Sequence, residues 1–152
     1  HGRHWGQAQL DWLFQSMGSA STPSWIITGN QFFGDSELRE GVQIDHPEDL
    51  QRIMDGLALK PAPVALIGGD VHYSEIRAVE PSWLGYGTYQ FTSSSIHSLP
   101  NPGLINRGNM VAERAHNFMV FDTDVRGGWS MRCRCILRDN VVSFDYSFDV
   151  ER

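Results

Sequence analysis

The sequence predicts an α/β fold: a mixed sheet layered with helices and ending in antiparallel hairpins at the carboxyl-terminal side. Three patterns lead to it. Two amphipathic stretches are each followed by a short apolar run, an order that stacks helices on a sheet. Those runs, Trp25-Ile26-Ile27 and Val64-Ala65-Leu66-Ile67, show no polar alternation, as strands covered on both faces require. From Trp129 onward apolar and polar residues alternate with period two, the mark of strands with one wet face.

Residues 6–17 carry Leu10, Leu13 and Met17 at helical spacing, with Gln7, Gln9, Asp11 and Gln15 on other faces, and Gly18 ends the helix. The Ser, Thr and Pro residues of 19–24 make a loop, and the apolar run 25–28 is a strand stopped by Gly29-Asn30. Residues 32–44 have no regular pattern. Pro47, after Asp45 and His46, suits the first turn of a second helix, in which Leu50, Ile53, Met54 and Leu57 recur on one face. Pro61 and Pro63 hand the chain to strand 64–67, which runs into Gly68-Gly69-Asp70-Val71-His72. Residues 73–80, 86–93 and 115–125, rich in aromatic and β-branched side chains, read as strands. Residues 99–114, rich in Pro, Asn and Gly, form a long loop of the kind that carries function or motion. The final hairpin points Trp129, Met131, Cys133, Cys135 and Leu137 inward, turns at Asp139-Asn140, and returns with Val142, Phe144, Tyr146 and Phe148.

At 152 residues the chain holds one ordinary core, so residues 1–152 are expected to be a single domain or one half of a larger one. Hydrophobic residues make up 41% and charged residues 20%, which suits a folding chain and excludes intrinsic disorder. Twelve Lys plus Arg against eighteen Asp plus Glu leave a charge of −6, with no basic cluster to grip a phosphate backbone. Nucleic acid is therefore not an expected partner. No apolar run approaches the roughly 20 residues of a membrane helix. Cys133 and Cys135 share one face of one strand, where disulfide geometry is hard to meet. The chain opens at His1 with no basic-then-apolar leader, and that start reads as processed, trimmed or cut from something longer.

Chemistry concentrates at residues 68–72. If the extended chain persists past the strand, Asp70 and His72 emerge on one face at its carboxyl end, where open α/β sheets place ligands. A carboxylate beside an imidazole suits a divalent metal, because one neutralises charge and the other supplies a directional nitrogen. The plain alternative is an Asp in a turn and a satisfied His at a strand end; from spacing alone the two readings stand level. The paired glycines permit positive φ and the close approach of a bound group. Asn30 and Gln31 repeat the pattern after the first strand, with amides able to ligate metal or hold phosphate oxygens, although a simple Gly-Asn turn is the stronger reading. Ser93, Ser94 and Ser95 with His97 supply two parts of a serine hydrolase. Without a Gly-x-Ser-x-Gly elbow, the serines read better as partners for loop backbone, leaving His97 to face the opening. Arg107 and Arg114 can meet an anionic substrate, against a default of solvated charge. His46 belongs to a helix start, and His1, His4 and His116 have no partner to name.

Five blocks, in order and spacing, carry a family resemblance. They are Gly6-Gln7-Ala8-Gln9-Leu10-Asp11-Trp12-Leu13, the run from Trp25 to Gln31, Ile67-Gly68-Gly69-Asp70-Val71-His72-Tyr73-Ser74-Glu75-Ile76, Phe91-Thr92-Ser93-Ser94-Ser95, and Asn117-Phe118. Together they resemble the carboxyl-terminal half of alkaline phosphatase D-like metallophosphatases, relatives of the calcineurin-like phosphoesterases. The resemblance implies half of a four-layer α/β/β/α sandwich and a metal-dependent phosphoester hydrolase of alkaline phosphatase or phosphodiesterase type. It also implies a centre of two divalent or trivalent ions, with Fe, Zn, Mn and Ca all open. Asp70 and His72 would be the catalytic and metal-binding pair. Asn30, Gln31 and His97 would face a phosphate-ester substrate. The acidic blocks that the amino-terminal half of such enzymes supplies do not occur before Gly6, so an amino-terminal half of the same enzyme is an expected partner, and half a sandwich is expected to expose a contiguous apolar face. Periplasmic or secreted placement follows from the resemblance alone. Two readings from other classes stay open: a non-catalytic β-rich binding module, and a serine esterase using Ser93, Ser94 or Ser95 with His97.

Overall fold

The computed structural model describes residues 4–35, 41–99 and 106–152. In chain order it comprises α1 (Gln7–Gly18), β1 (Ser24–Ile27), α2 (Val42–Asp45), α3 (Pro47–Ala58), β2 (Val64–Gly68), β3 (Ser74–Val79), α4 (Pro81–Leu84), β4 (Thr88–Thr92), β5 (Val111–Glu113), β6 (Asn117–Asp124), β7 (Ser130–Leu137) and β8 (Val142–Asp149). A five-stranded mixed sheet has the order β1-β2-β4-β3-β5, with β1, β2 and β4 parallel and β3 antiparallel to both its neighbours. The other three strands, β6-β7-β8, form a separate antiparallel sheet. The α/β class with carboxyl-terminal hairpins is as the sequence predicts.

Each face of the mixed sheet has its own partner. Ile26 pairs in register with Leu66 and points to the helices, where Leu10 and Leu13 of α1, Ile53 of α3 and Phe32 surround it. α1 crosses α3 closely at Gly56, where an added Cβ would stand 2.2 Å from the Phe14 ring. Trp25 points the other way and meets Phe121 and Trp129 edge-on, with ring centroids 5.1 and 5.2 Å apart. Phe91 of β4 adds contacts to Phe121 and Phe148. Such aromatic pairs between two sheets contribute to the adhesion between layers. The order of layers is therefore helices, mixed sheet, antiparallel sheet.

The antiparallel sheet is one-sided, as period-two alternation requires. Met131, Cys133 and Cys135 are buried on its inner face, while Arg132 pairs with Asp145 and Arg134 with Asp122 on the outer one. Both cysteines are free, and burial pushes their thiols up to about 12, so neither is a nucleophile at neutral pH. Asn140 closes the β7–β8 turn at φ 63°.

Several expectations need correction. β1 lies at the sheet edge, and Ile27 is 69% exposed rather than covered on both faces. The bare outer face of the antiparallel sheet carries ion pairs instead of a contiguous apolar surface. Exposed apolar bulk gathers at Ile27 and Trp12 beside the open edge. The presumed loop 99–114 contributes β5 to the other edge, because residues 111–113 pair with β3; its residues 100–105 lie outside the described residues. No helix among the described residues is long and apolar enough to cross a membrane.

Candidate functional site

Because β1, β2 and β4 run parallel, the segments after them, 28–31, 69–73 and 93–95, meet at one edge of the sheet. Ligands of open α/β sheets bind at this end. The first two segments touch backbone to backbone. A Cβ on Gly68 would lie 2.7 Å from the Asn30 carbonyl oxygen, and one on Gly69 would lie 3.0 Å from that of Gly29. The two glycines thus supply room rather than unusual backbone angles. The left-handed turns fall one and three residues later.

Those turns decide where the side chains go. To reach β3 from β2, the chain must cross the end of β4 within residues 69–73, and it does so with Asp70 at φ 73° and His72 at φ 60°. Asp and His tolerate this region better than most residues, yet it costs on the order of 1–3 kcal/mol per residue and persists where surroundings enforce it. Serine hydroxyls supply that enforcement. The Ser94 Oγ accepts the His72 N–H at 3.4 Å, the Ser95 Oγ donates to the His72 carbonyl at 3.3 Å, and the Ser93 Oγ accepts the Met119 N–H at 3.2 Å. Asp70, His72, Ser93, Ser94, Ser95 and His97 line one open depression, with the Asp70, His72 and His97 side chains exposed. Asp70 and His72 share it through two strained turns, not through the pleat alternation that the sequence predicts. Among the described residues no hydrogen bond joins the imidazole ring of His97 or His72 to a serine hydroxyl, and each hydroxyl serves the backbone. This geometry offers nothing to a serine esterase.

Gln31, expected to face substrate, turns the other way and is buried. Its Nε2 donates to the Glu75 carboxylate at 2.8 Å and to the Thr92 Oγ1 at 2.9 Å, while its Oε1 accepts the Asn106 Nδ2 at 3.1 Å. Asn106 also donates to Glu75 at 2.6 Å, and its Oδ1 accepts the Asp35 N–H. Burial raises the Glu75 carboxyl above its ordinary 4.5, opposed by hydrogen bonds from Asn106, Asn109 and Gln31 and by the charge of Arg77. This amide and carboxylate cluster, missed in the sequence, fixes the 28–31 turn from beneath. Its signal was the row Thr88, Gln90 and Thr92 on β4 beside Glu75 and Arg77 on β3, a polar stripe within otherwise apolar strands. Asn30 is half-buried in the same turn and does not line the depression. Arg107 and Arg114 also stand outside it, exposed to solvent.

A metal centre tests these donors directly. Asp70 and His72 are two ligands on one rim, and Glu75 is sealed behind them with its oxygens already engaged. Among the described residues no group of three or more His, Cys, Asp or Glu side chains is placed to hold a metal ion. The described donors of this chain do not by themselves meet the four to six ligands of a catalytic metal.

No protein-family model matches the chain, and no curated protein sequence does. A solved structure of PhoD superposes on 97% of this chain and 35% of its own, with a TM-score of 0.56 and 14% sequence identity. The fold is a partial PhoD-like fold. At that identity the likeness concerns architecture alone. The chain spans about a third of the length of the PhoD chain.

Proposed function

We propose that these residues form the His72-bearing part of a phosphoester hydrolase whose site is completed by polypeptide outside them, so that residues 1–152 are one half of a larger domain. The observation that carries the reading is the pair of left-handed residues, Asp70 and His72, held exposed over the ends of three parallel strands in a PhoD-like fold. Strain of this kind at a ligand-binding edge supports function more than architecture.

His72 is the proton donor to the leaving-group oxygen: a water oxygen attacks phosphorus, the bond to the ester oxygen breaks, the departing alkoxide takes its proton from the His72 imidazolium, and the proton released by the attacking water passes to solvent, from which the ring is reprotonated. Ser94 and Ser95 hold the backbone of His72 at both its N–H and its carbonyl, which orients the ring for that transfer. Asp70 needs a cation between itself and an anionic phosphoryl group, because two like charges about 4 Å apart repel by on the order of 1–4 kcal/mol at an exposed site. The reading therefore includes metal ions that would be held by Asp70 together with donors from the missing part and would neutralise the phosphoryl charge, leaving the His72 ring to carry the proton. In this reading His97, exposed on the same rim, would meet the alcohol portion of the ester, and Asn30 and Gln31 shape the neighbouring turn.

The test is hydrolysis of a chromogenic phosphate monoester and diester by the product of the complete reading frame, before and after treatment with a chelator. The expected outcome is turnover of one or both esters that falls at least tenfold on chelation. Absence of turnover with every added divalent metal, in protein shown to be folded, would leave the chain as a binding module.

A further inference from the structure

The mixed sheet stops abruptly at β1. The amides of Ser24 and Thr28 donate to the carbonyls of Pro63 and Ile67 on the β2 side. By strand alternation the amides of Trp25 and Ile27 then point to the open side. Proteins blunt such edges with charges, proline or bulges, yet β1 reads Ser-Trp-Ile-Ile and has none. Beside it, Ile27 is 69% exposed and Trp12 of α1 is 65% exposed, flanking an apolar groove floored by Leu10, Leu13 and Ile26. This edge has the composition of an interior strand.

Topology says what belongs there. The chain passes from β1 through α3 to β2, two parallel neighbours joined across one face of the sheet. α1 packs against α3 on that same face and leads into β1. Parallel crossovers share one hand in nearly all proteins. A strand joined to β1 through α1 must therefore step across the sheet in the direction that β1 to β2 steps. That places it one position before β1, on the open edge.

We propose that the β1 edge, with Ile27 and Trp12, docks a parallel apolar β-strand belonging to the polypeptide that leads into α1. This rests on the reading that the enzyme is completed by residues outside the chain, and it specifies the surface, direction and chemistry of that completion. The docked strand accepts and donates backbone hydrogen bonds at Trp25 and Ile27. Its side chains cover Ile27 on one face of the sheet and, against Trp12, fill the groove on the other. A second copy of the chain is the competing occupant, and a twofold pairing of two β1 edges would be antiparallel instead.

Residue-level hydrogen exchange, compared between the 152-residue chain and the product of the complete reading frame, tests this. Trp25 and Ile27 amides are expected to exchange at least about 100-fold more slowly in the longer product, while the Ile26 amide, which faces β2, is protected in both. Ile27→Glu in the longer product is expected to abolish the added protection, and Trp12→Ala to reduce it at least tenfold. Equal exchange at Trp25 and Ile27 in both proteins overturns the proposal, as does a reading frame with no strand-forming segment before α1. So does equal protection in a self-associated 152-residue chain. Ester hydrolysis without slowed exchange would sink the docking and keep the phosphoesterase reading; slowed exchange without hydrolysis would do the reverse.

Discussion

Glu75 and Glu113 are two carboxyls of the same sheet whose surroundings push them in opposite directions. Burial dominates at Glu75 and raises its carboxyl above 4.5, so the folded protein holds that proton more tightly than the unfolded chain. Stability is then expected to fall as pH rises from about 4.5 through the folded value, and Glu75→Gln should flatten that decline. The Gln retains an acceptor for the Gln31 and Asn106 amides, so its stability at pH 7 should match or exceed the parent, whereas Glu75→Leu strands those donors and should cost about 2–3 kcal/mol. Urea unfolding across pH 4–8 separates the three proteins. Burial also raises Glu113, but hydrogen bonds from the Ser143 hydroxyl and the Ala115 and Arg114 amides outweigh it and hold the carboxyl below 4.5. Its contribution is complete above about 4.5 and is lost as pH falls through the folded value, so Glu113→Gln should weaken the fold at pH 6 and make progressively less difference as pH falls below 4.5. That Asp70 and His72 share the depression at the strand end was legible from their place after an apolar strand. The burial of Gln31 was not, because an amide after a strand looks the same whether it faces a pocket or a neighbouring carboxylate.

The elements that place the site owe their precision to backbone contact. Gly68 makes the tightest approach to another backbone segment, and Gly68→Ala should push the 28–31 turn off the end of β2, loosening the Gln31 to Glu75 hydrogen bond. The expected cost is about 1–3 kcal/mol by thermal or denaturant melting, with chemical-shift changes concentrated at residues 28–31 and 75. A variant that melts like the parent and leaves those shifts in place would show that the turn has room to spare. Long periodic elements were readable: α1, α3, β7 and β8 each declare themselves through spacing that spans several turns or pleats. α2, α4 and β5, of three or four residues each, are too short to establish a period, and β5 exists only because β3 offers it an edge.

At the scale of the whole molecule, the residue pattern conveys a layered α/β arrangement with one-sided hairpins at its end, and the stacking of a second sheet follows from the family resemblance alone. It does not convey which strand is the edge, since Trp25-Ile26-Ile27 has the composition of an interior strand and yet lies at the end of the sheet. At the depression, Asp70 and His72 are presented without enough companions among the described residues to hold a metal. In the proposed reading a larger whole completes both the edge and the depression, and its chemistry turns on His72. The most direct measurement is the turnover of a phosphate ester by the complete protein carrying His72→Ala, with His97→Ala as its companion. A loss of at least about 100-fold is predicted for His72→Ala, with a smaller loss for His97→Ala at unchanged fold. Full turnover by folded His72→Ala would contradict the account.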